Sequence, residues 1–287
     1  MASSFIQRFV RRLRDGKTVF TIGGYVLSVL YGLTVLIPVY FVLVSSFKPN
    51  MEIFGAPLAL PSHITFENYA DAVRIAKLPR AMGISLGVTA GAEILTLVLA
   101  FPVAYAIARI RTRLSPIVEG FFSLGFLIPA FATLVPIYLM TAAIGLLYNP
   151  VALILIYPAF KLPVTVLLLA SYMRSVPREL EESAEIDGAT RLQMIYHIFY
   201  PLARPGVVTV VVLNFIDIWN EFLFALVLMN MKNRTLQIAV SSLKGERLLD
   251  YGLMAAGIII TLLPVYIVFL IFQEQVVRGL YAGAVKS

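Results

Sequence analysis

The sequence has few charged residues and no cysteine. Only 14% of its 287 residues are charged, whereas soluble domains average about 25%. Without cysteine, disulfides, thiol catalysis and thiolate metal ligands are excluded. The two histidines, His63 and His197, lie far apart and in different loops, so the sequence does not predict a histidine metal site. Neither a metal nor a cofactor is therefore expected.

Long apolar runs dominate the chain instead. Hydrophobic residues make up 60% of it, and the mean hydropathy is +0.88. A membrane-spanning helix needs about 20 apolar residues to cross about 30 Å of hydrocarbon. Sufficient length and very few charges are found in residues 18–47, 81–108, 205–231 and 251–273. Each of these runs predicts one spanning helix.

A fifth run is too long for a single span. Residues 120–160 carry no charge, yet one helix of that length would extend about 60 Å. The turn-forming residues 145–150 divide the run into spans near 117–143 and 151–174. The sequence therefore predicts an all-α, polytopic membrane protein with six transmembrane helices.

Basic residues are distributed unevenly between the two sides of such a bundle. Most of the 23 lysines and arginines lie in the N-terminal segment, the loops after the second and fourth spans, and the tail. The positive-inside rule therefore places both termini in the cytoplasm. The net charge of +7 follows from this topology and implies no nucleic-acid partner.

Residues 175–203, called the acidic loop below, are more polar than their surroundings. Their sequence predicts two short helices joined at Gly188, because glycine readily takes the left-handed conformation that ends a helix. Glu179 and Glu182 lie at the positive N-terminal end of the first helix. Thr190 and Gln193 have the spacing of a capping box, which predicts the start of the second.

The second helix of the acidic loop is predicted to be amphipathic. Its apolar stripe is formed by Leu192, Ile195, Tyr196 and Phe199. Pro201 and Pro205 are expected to end this helix before the fifth span. The stripe can pack on the protein's own helices while the acidic face meets a partner. The alternative is a solvated connecting loop.

The acidic loop resembles the signature of the membrane subunits of binding-protein-dependent ABC importers. The matching residues, at the signature's spacing, are Glu182, Ser183, Ala184, Gly188, Ile198 and Pro201. Two positions depart from it, since Ser183 stands for an alanine and Tyr200 for a leucine. The resemblance implies the type I ABC importer permease fold over about residues 81–273, with residues 1–80 as an addition and 274–287 as a cytoplasmic tail.

This family resemblance also implies a role and a set of partners. In the family the loop is a coupling helix, which sits in a cleft of an ATP-hydrolysing subunit and transmits its motion. The residues expected to couple here are Glu179, Glu182, Ser183, Ala184, Asp187, Gly188, Ile198 and Pro201. The implied partners are a homologous second permease subunit, two ATPase copies and an extracytoplasmic solute-binding protein. The chain itself is then no enzyme, and it lies in a bacterial or archaeal cell membrane.

Shorter motifs resemble the sugar-importing, MalG-type branch of that family. They comprise Ser46-Phe47-Lys48, Leu60-Pro61, Asn68-Tyr69, Trp219-Asn220-Glu221-Phe222 and residues 279–286. The resemblance implies a sugar or oligosaccharide substrate. A non-sugar solute, such as a glycerophosphate, is the alternative within the family.

Polar residues inside the spans form three stripes. Charged groups at mid-bilayer cost about 2.5–3.5 kcal/mol, so they are usually functional or paired. Stripes on the second, fourth and fifth spans predict a polar translocation path, whose candidates are Asn214, Asp217, Trp219, Asn220, Glu221, Glu93, Lys161 and Tyr157. Trp219 and Tyr157 are available in principle to stack on sugar rings. The alternative is that Lys161 neutralises one of the acids as a structural pair.

Other functional classes fit the sequence less well. A secondary transporter could use Glu93 or Asp217 as a proton site, but the two halves of the chain show no obvious repeat. An intramembrane enzyme would need a nucleophile with a base, or a metal cluster, and neither pattern is present. Gly16-Lys17-Thr18 ends like a phosphate-binding loop, but Arg11 occupies the position of the required glycine.

Overall fold

The computed structural model describes residues 16–110, 112–246 and 250–284, and it has no β-strand within these ranges. Several basic residues used to predict the orientation lie outside them, namely Arg8, Arg11, Arg12, Arg14, Arg111, Arg247 and Lys286. The end of the tail motif, residues 285–286, also lies outside the described residues.

The described chain is a sequence of helices. In order these are α1 (Gly16–Ser45), α2 (Asn50–Gly55), α3 (Glu67–Ile75), α4 (Leu78–Arg109), α5 (Ser115–Leu124), α6 (Leu134–Ala143), α7 (Pro150–Arg174), α8 (Glu179–Ile186), α9 (Arg191–Met194), α10 (Tyr200–Asn220), α11 (Leu223–Leu228), α12 (Leu236–Glu246) and α13 (Tyr251–Ala284). Short 3-10 turns, Gly125–Leu127 and Ala130–Thr133, follow α5, and a π-helical turn, Ile195–Phe199, links α9 to α10.

Within the described ranges, five continuous helical stretches are long and apolar enough to span a membrane. They are Gly23–Ser45, Leu78–Arg109, Pro150–Arg174, Arg191–Asn220 and Tyr251–Gln275. A sixth span exists if the bent pair Ser115–Leu127 and Ala130–Ala143 is counted as one. The predicted all-α, polytopic class is therefore confirmed.

The third predicted span, 117–143, is not one continuous helix. It bends by 88° between its two halves. Pro129 causes the break, because its ring fixes φ and removes a backbone donor, while the residue before a proline is pushed out of the helical region. Ile128 accordingly has extended dihedral angles of −81° and 111°.

The predicted turn at 145–150 is confirmed. Gly145 has a φ of 73°, which returns the chain after α6. The side chain of Asn149 then accepts a hydrogen bond from the backbone N–H of Val151 at 3.0 Å and so caps the start of α7. Helices α4 and α7 pack along each other at the centre of the bundle, with α10 against both.

Two of the short motifs meet at the end of the bundle opposite the acidic loop. Asn68 donates from Nδ2 to the carbonyl oxygens of Ser46 and Lys48 at 3.0 and 2.9 Å. The hydroxyls of Ser46 and Tyr69 lie 2.7 Å apart. Lys48 is fully buried and donates to the carbonyls of Ala56 and Ala59. These contacts tie α1 to the segment that precedes α4.

Gly252 packs into this junction, and a larger residue there is expected to destabilise it. An alanine Cβ would clash with the Lys48 carbonyl oxygen and lie 2.6 Å from Asn68 Nδ2. Overpacking of this kind costs about 1–3 kcal/mol. Gly252→Ala should therefore lower the unfolding temperature of the purified protein. Gly87→Ala, whose Cβ meets nothing within 4 Å, is the control, and equal melting of both variants would contradict this packing.

Candidate coupling site and membrane polar cluster

The first half of the acidic loop folds as predicted. Helix α8 ends at Ile186, and Gly188, two residues further on, has a φ of 79°. Ala189 donates its N–H to the carbonyl of Ala184 at 2.9 Å, and Gly188 donates to that of Glu185 at 3.1 Å. This pair of bonds is a Schellman motif, which satisfies carbonyls left free at the end of a helix. The turn between the two helices therefore depends on the left-handed conformation of Gly188.

The second helix starts as predicted but does not end as predicted. Thr190 and Gln193 form the capping box, with both reciprocal hydrogen bonds present. Pro201 and Pro205, however, do not stop the helix, which runs on through α10 to Asn220. The π-helical turn Ile195–Phe199 lies directly before Pro201, and its wider hydrogen-bond spacing accommodates the missing donor.

The apolar stripe predicted for this helix is only half correct. Ile195 and Phe199 are buried, but Leu192 and Tyr196 are 67% and 66% exposed. Met194 is buried in their place, five residues before Phe199. That spacing belongs to a π turn, whereas the prediction assumed a regular α-helical repeat.

Most of the predicted coupling residues are exposed at the surface of the acidic loop. Exposed members are Glu179, Glu182, Ser183, Asp187, Gly188 and Pro201, while Ala184 and Ile198 are half-buried. Helix α8 has no fully buried residue, and Ile186 at its end is 86% exposed. The acidic loop thus offers both carboxylates and apolar side chains to a partner.

Arg109 anchors the acidic loop. The sequence indicated it only as one of the basic residues that follow the second span. Arg109 ends α4, and its side chain is 2% exposed. Its Nη2 donates to the carbonyl oxygen of Met173 at 2.5 Å and to that of Val176. The guanidinium therefore caps the C-terminal end of α7, where free carbonyls and the helix dipole favour a cation.

The same arginine also contacts both helices of the acidic loop. Its Nη1 lies 3.8 Å from a carboxylate oxygen of Glu181 on α8, and the guanidinium carbon lies 4.9 Å from the ring centre of Phe199. Tyr105 donates its hydroxyl to Glu181 at 3.2 Å, and its ring packs edge-on against Phe199. We call these four residues the Arg109 clamp. Tyr105 and Arg109 are four residues apart on α4, and this shared helix face is the sequence signal that could have indicated them.

The three predicted polar stripes meet in the bundle interior. Asn214 on α10 is buried and donates from Nδ2 to Thr165 Oγ1 on α7 at 3.0 Å and to Glu93 Oε1 on α4 at 3.4 Å. The other oxygen of Glu93 is buried without a hydrogen-bond partner in the described part of the chain. Three spans are thereby joined through polar groups.

Two further contacts lie nearer the break in the third span. Tyr157 donates its hydroxyl to Glu221 at 2.6 Å, and the Glu221 carboxylate also accepts from the backbone N–H groups of Phe224 and Ala225. Lys161 pairs with Asp217 at 2.8 Å. The predicted structural pair of Lys161 is thus Asp217, and Glu221 caps the start of α11.

A cavity of about 130 Å³ adjoins these contacts. Its charged lining residues are Lys161, Asp217 and Glu221, and Tyr157 lines it as well. Phe131 and Phe160 line it too, and Phe131 is 71% exposed beside the break at Pro129. The charged path candidates therefore lie beside the exposed ring of Phe131 at the broken span, whereas the ring of Phe160 packs against Phe224.

Trp219 is not available for stacking on a sugar. It is 1% exposed, its ring is stacked on Phe215, and its Nε1 donates to the carbonyl of Thr261 at 3.1 Å. Tyr157 is also buried. Asn220 is exposed, but its amide donates back to the carbonyl of Ile216. Stacking was predicted from residue type alone. In the structure, the orientation of α10 about its axis places Trp219 against α13.

A bundle of apolar helices with a broken span, a buried polar cluster and an exposed polar loop is compatible with a membrane permease subunit. The comparison with known families agrees, and this chain belongs to the family of binding-protein-dependent transport system inner membrane components, whose profile matches residues 76–280. The predicted family is confirmed, and the chain is a transport subunit rather than an enzyme. The alternative of an ion-gradient-driven secondary transporter is wrong.

Individual relatives match over most of their length. The diacetylchitobiose uptake system permease protein NgcG of Streptomyces coelicolor is 33% identical over 92% of this chain and 88% of that protein. The trehalose transport system permease protein SugB of Mycobacterium tuberculosis is 34% identical over 88% of this chain and 93% of that protein. The sulfoquinovosyl glycerol permease SmoH of Agrobacterium fabrum is 34% identical over 88% of this chain and 89% of that protein.

A solved structure confirms the fold. A chain of a bacterial ABC transporter that imports the acidic polysaccharide alginate superposes with a TM-score of 0.81, at 22% sequence identity. The match covers 91% of this chain and 97% of that one. The predicted importer-permease fold is therefore correct.

Proposed function

We propose that this chain is a membrane-spanning permease subunit of an ATP-driven importer for a sugar or oligosaccharide. The observation that carries the substrate class is the set of relatives, each named for a carbohydrate or a glycoside. The cavity at the broken span supports it, because charged hydrogen-bonding groups next to aromatic rings suit a hydroxyl-rich solute. Residues 81–273 form the permease proper, residues 1–80 the addition that precedes it, and residues 274–287 a cytoplasmic tail.

The acidic loop is the coupling element in this proposal. It faces the cytoplasm with both termini, and the surface around Gly188 docks into an ATPase subunit. A homologous permease completes the membrane part, two ATPase copies bind below, and a solute-binding protein delivers sugar from outside. Movement of the ATPases reaches the spans through the Arg109 clamp, because that clamp contacts α4, α7 and both helices of the loop.

Reconstitution tests the substrate class. Vesicles containing the complete transporter and its binding protein are expected to accumulate labelled oligosaccharide only when ATP is supplied to the ATPase side. Uptake of a glycerophosphate, with none of any sugar tested, would assign the chain to a non-sugar branch. Sugar uptake that needs no ATPase would contradict the proposal entirely.

Variants of the Lys161–Asp217 pair can distinguish a structural role from a role in lining the translocation path. Asp217→Asn leaves a lysine unpaired within a span, where a charge costs about 2.5–3.5 kcal/mol, so the yield of folded protein is expected to fall. Lys161→Met together with Asp217→Asn removes both charges and should restore the yield. If the pair lines the path, uptake by this double variant stays well below wild type. Full uptake would mean that the pair is only structural.

A further inference from the structure

A cavity of about 250 Å³ lies at the end of the bundle opposite the acidic loop. Its two walls are the start of α4 and the segment that follows α11. Four cationic residues line it, Lys77, Arg80, Lys232 and Arg234, and its lining contains no acidic residue. The cavity is therefore strongly cationic and is separate from the coupling surface and the membrane polar cluster.

The two walls are held together by buried hydrogen bonds. Arg234 is 6% exposed, and it donates from Nη2 to the carbonyl of Ala76 at 3.0 Å and from Nη1 to the hydroxyl of Ser242 at 2.8 Å. Leu236 donates its N–H to the hydroxyl of Ser85 on α4 at 2.8 Å. The cavity is thus a fixed feature of the fold, with Arg234 as a structural member of its wall.

The other three cations have no acidic partner in the described part of the chain. The side chains of Lys77, Arg80 and Lys232 are exposed, and they make no hydrogen bond or ion pair with residues the structure describes. Other cations at this end of the bundle do have partners, since Lys48 binds two carbonyls and Arg74 pairs with Asp71 at 2.6 Å. Lysine and arginine are also less common in loops on the side away from the cytoplasm, which is where this end of the bundle lies in the proposed topology. Because the cations in this cavity repel one another, their presence together indicates a bound anion that offsets the repulsion.

The position of the cavity indicates where that anion comes from. Lys77 immediately precedes a membrane-spanning helix, and Arg80 and Ile84 lie on its first two turns, so the cavity is at the edge of the hydrocarbon. Ile84 and Met231 add an apolar lining, and Met231 is 66% exposed. The volume is below the range of about 300–1,000 Å³ that encloses a drug-sized ligand, so a compact group fits better than an oligosaccharide.

We infer that this cavity binds the phosphate of an anionic phospholipid headgroup, with the acyl chains running along the apolar lining. Lys77, Arg80 and Lys232 supply the charge-assisted hydrogen bonds to the phosphate oxygens. The bound lipid joins α4 to the segment before α12 and so stabilises the outer end of the permease. This inference does not depend on which solute is transported.

The test measures binding of phosphatidylglycerol to the purified, delipidated transporter complex. Phosphatidylglycerol is expected to raise its unfolding temperature and to be retained on it, whereas phosphatidylcholine and inorganic phosphate do neither. Removing two charges with Arg80→Gln and Lys232→Gln should weaken the apparent affinity by about 25-fold, at about fivefold for each cation. Arg74→Gln is the matched control, because it removes a cation at the same end but outside the cavity.

Several outcomes would overturn the inference. Equal stabilisation by inorganic phosphate would show that the site binds a free anion. Equal retention of phosphatidylcholine would show that the negative charge of the headgroup does not determine binding. If the double variant retained phosphatidylglycerol but lost docking of the binding protein, the cations would instead serve an acidic protein surface. If the double variant folds poorly, Lys77→Gln replaces it in the same comparison, because the Lys77 side chain is exposed and has no partner among the described residues. This single variant is expected to weaken the apparent affinity for phosphatidylglycerol by about fivefold.

Discussion

Replacing Gly188 with aspartate is expected to reduce ATP-driven uptake by about tenfold or more while the chain still inserts and folds. The φ of 79° costs a side-chain-bearing residue about 1–2 kcal/mol, and aspartate and asparagine tolerate this region better than other residues. A Cβ at this position meets nothing within 4 Å in the chain itself. A side chain there therefore projects into the space that the ATPase subunit would occupy.

The controls for Gly188→Asp isolate the docking effect. Gly145→Asp places the same residue at a φ of 73°, also with nothing within 4 Å, but in the turn on the opposite side of the membrane. It is expected to match the folding cost of Gly188→Asp and to leave uptake near wild type. Gly188→Asn adds a side chain of similar size without the negative charge, and it should also reduce uptake. Wild-type uptake by Gly188→Asp would contradict the coupling role of the loop.

Substituting Arg109 with methionine is expected to uncouple ATP hydrolysis from transport. Hydrogen bonds to a charged donor contribute about 1.5–3 kcal/mol each, and the variant leaves the carbonyls of Met173 and Val176 without their donor. Glu181 and Phe199 lose the guanidinium at the same time and keep their contacts with Tyr105 on α4. Stability should fall by about 3 kcal/mol, and the acidic loop loses its link to the end of α7, so its motion should be transmitted poorly to the spans.

The measurement for Arg109→Met compares ATPase activity with uptake in the same vesicles. We expect basal ATPase activity to persist, while the stimulation of hydrolysis by sugar-loaded binding protein and the uptake of sugar are both lost. Arg204→Met removes an exposed cation beside the same loop and serves as the control. Parallel loss of ATPase activity and uptake in both variants would show that the clamp has no specific role in coupling.

Predictions from sequence succeeded where the determining interactions are local. The spans at 18–47, 81–108, 151–174 and 251–273, the turn at 145–150, the left-handed Gly188 and the Thr190–Gln193 capping box all depend on residues close together in the chain, and all are present. The predicted span 205–231 is wrong in its bounds, because the helix runs from Arg191 to Asn220 and Leu223–Leu228 is a separate short helix. The signature in the acidic loop, a spaced pattern within one segment, identified the family correctly.

The predictions that failed depend on how helices pack. Pro201 was predicted to end the second helix of the acidic loop, but the π turn before it lets the helix continue. Conversely, residues 117–143 were predicted from their composition to form one continuous span, and Pro129 breaks it. The burial of Trp219 and the contacts of Arg109 come from helices distant in sequence, so periodicity along one helix could not reveal them.

Docking of the acidic loop on an ATPase subunit can be measured by site-directed cross-linking. Because the chain has no cysteine, Ser183→Cys introduces a single thiol on the exposed face of α8. In the assembled transporter this variant is expected to cross-link to an ATPase subunit carrying a cysteine in its docking cleft. Ser241→Cys, exposed on α12 at the opposite end, should give no such product. A cross-link to the ATPase from Ser241→Cys, or none from Ser183→Cys, would show that the acidic loop is not the docking surface.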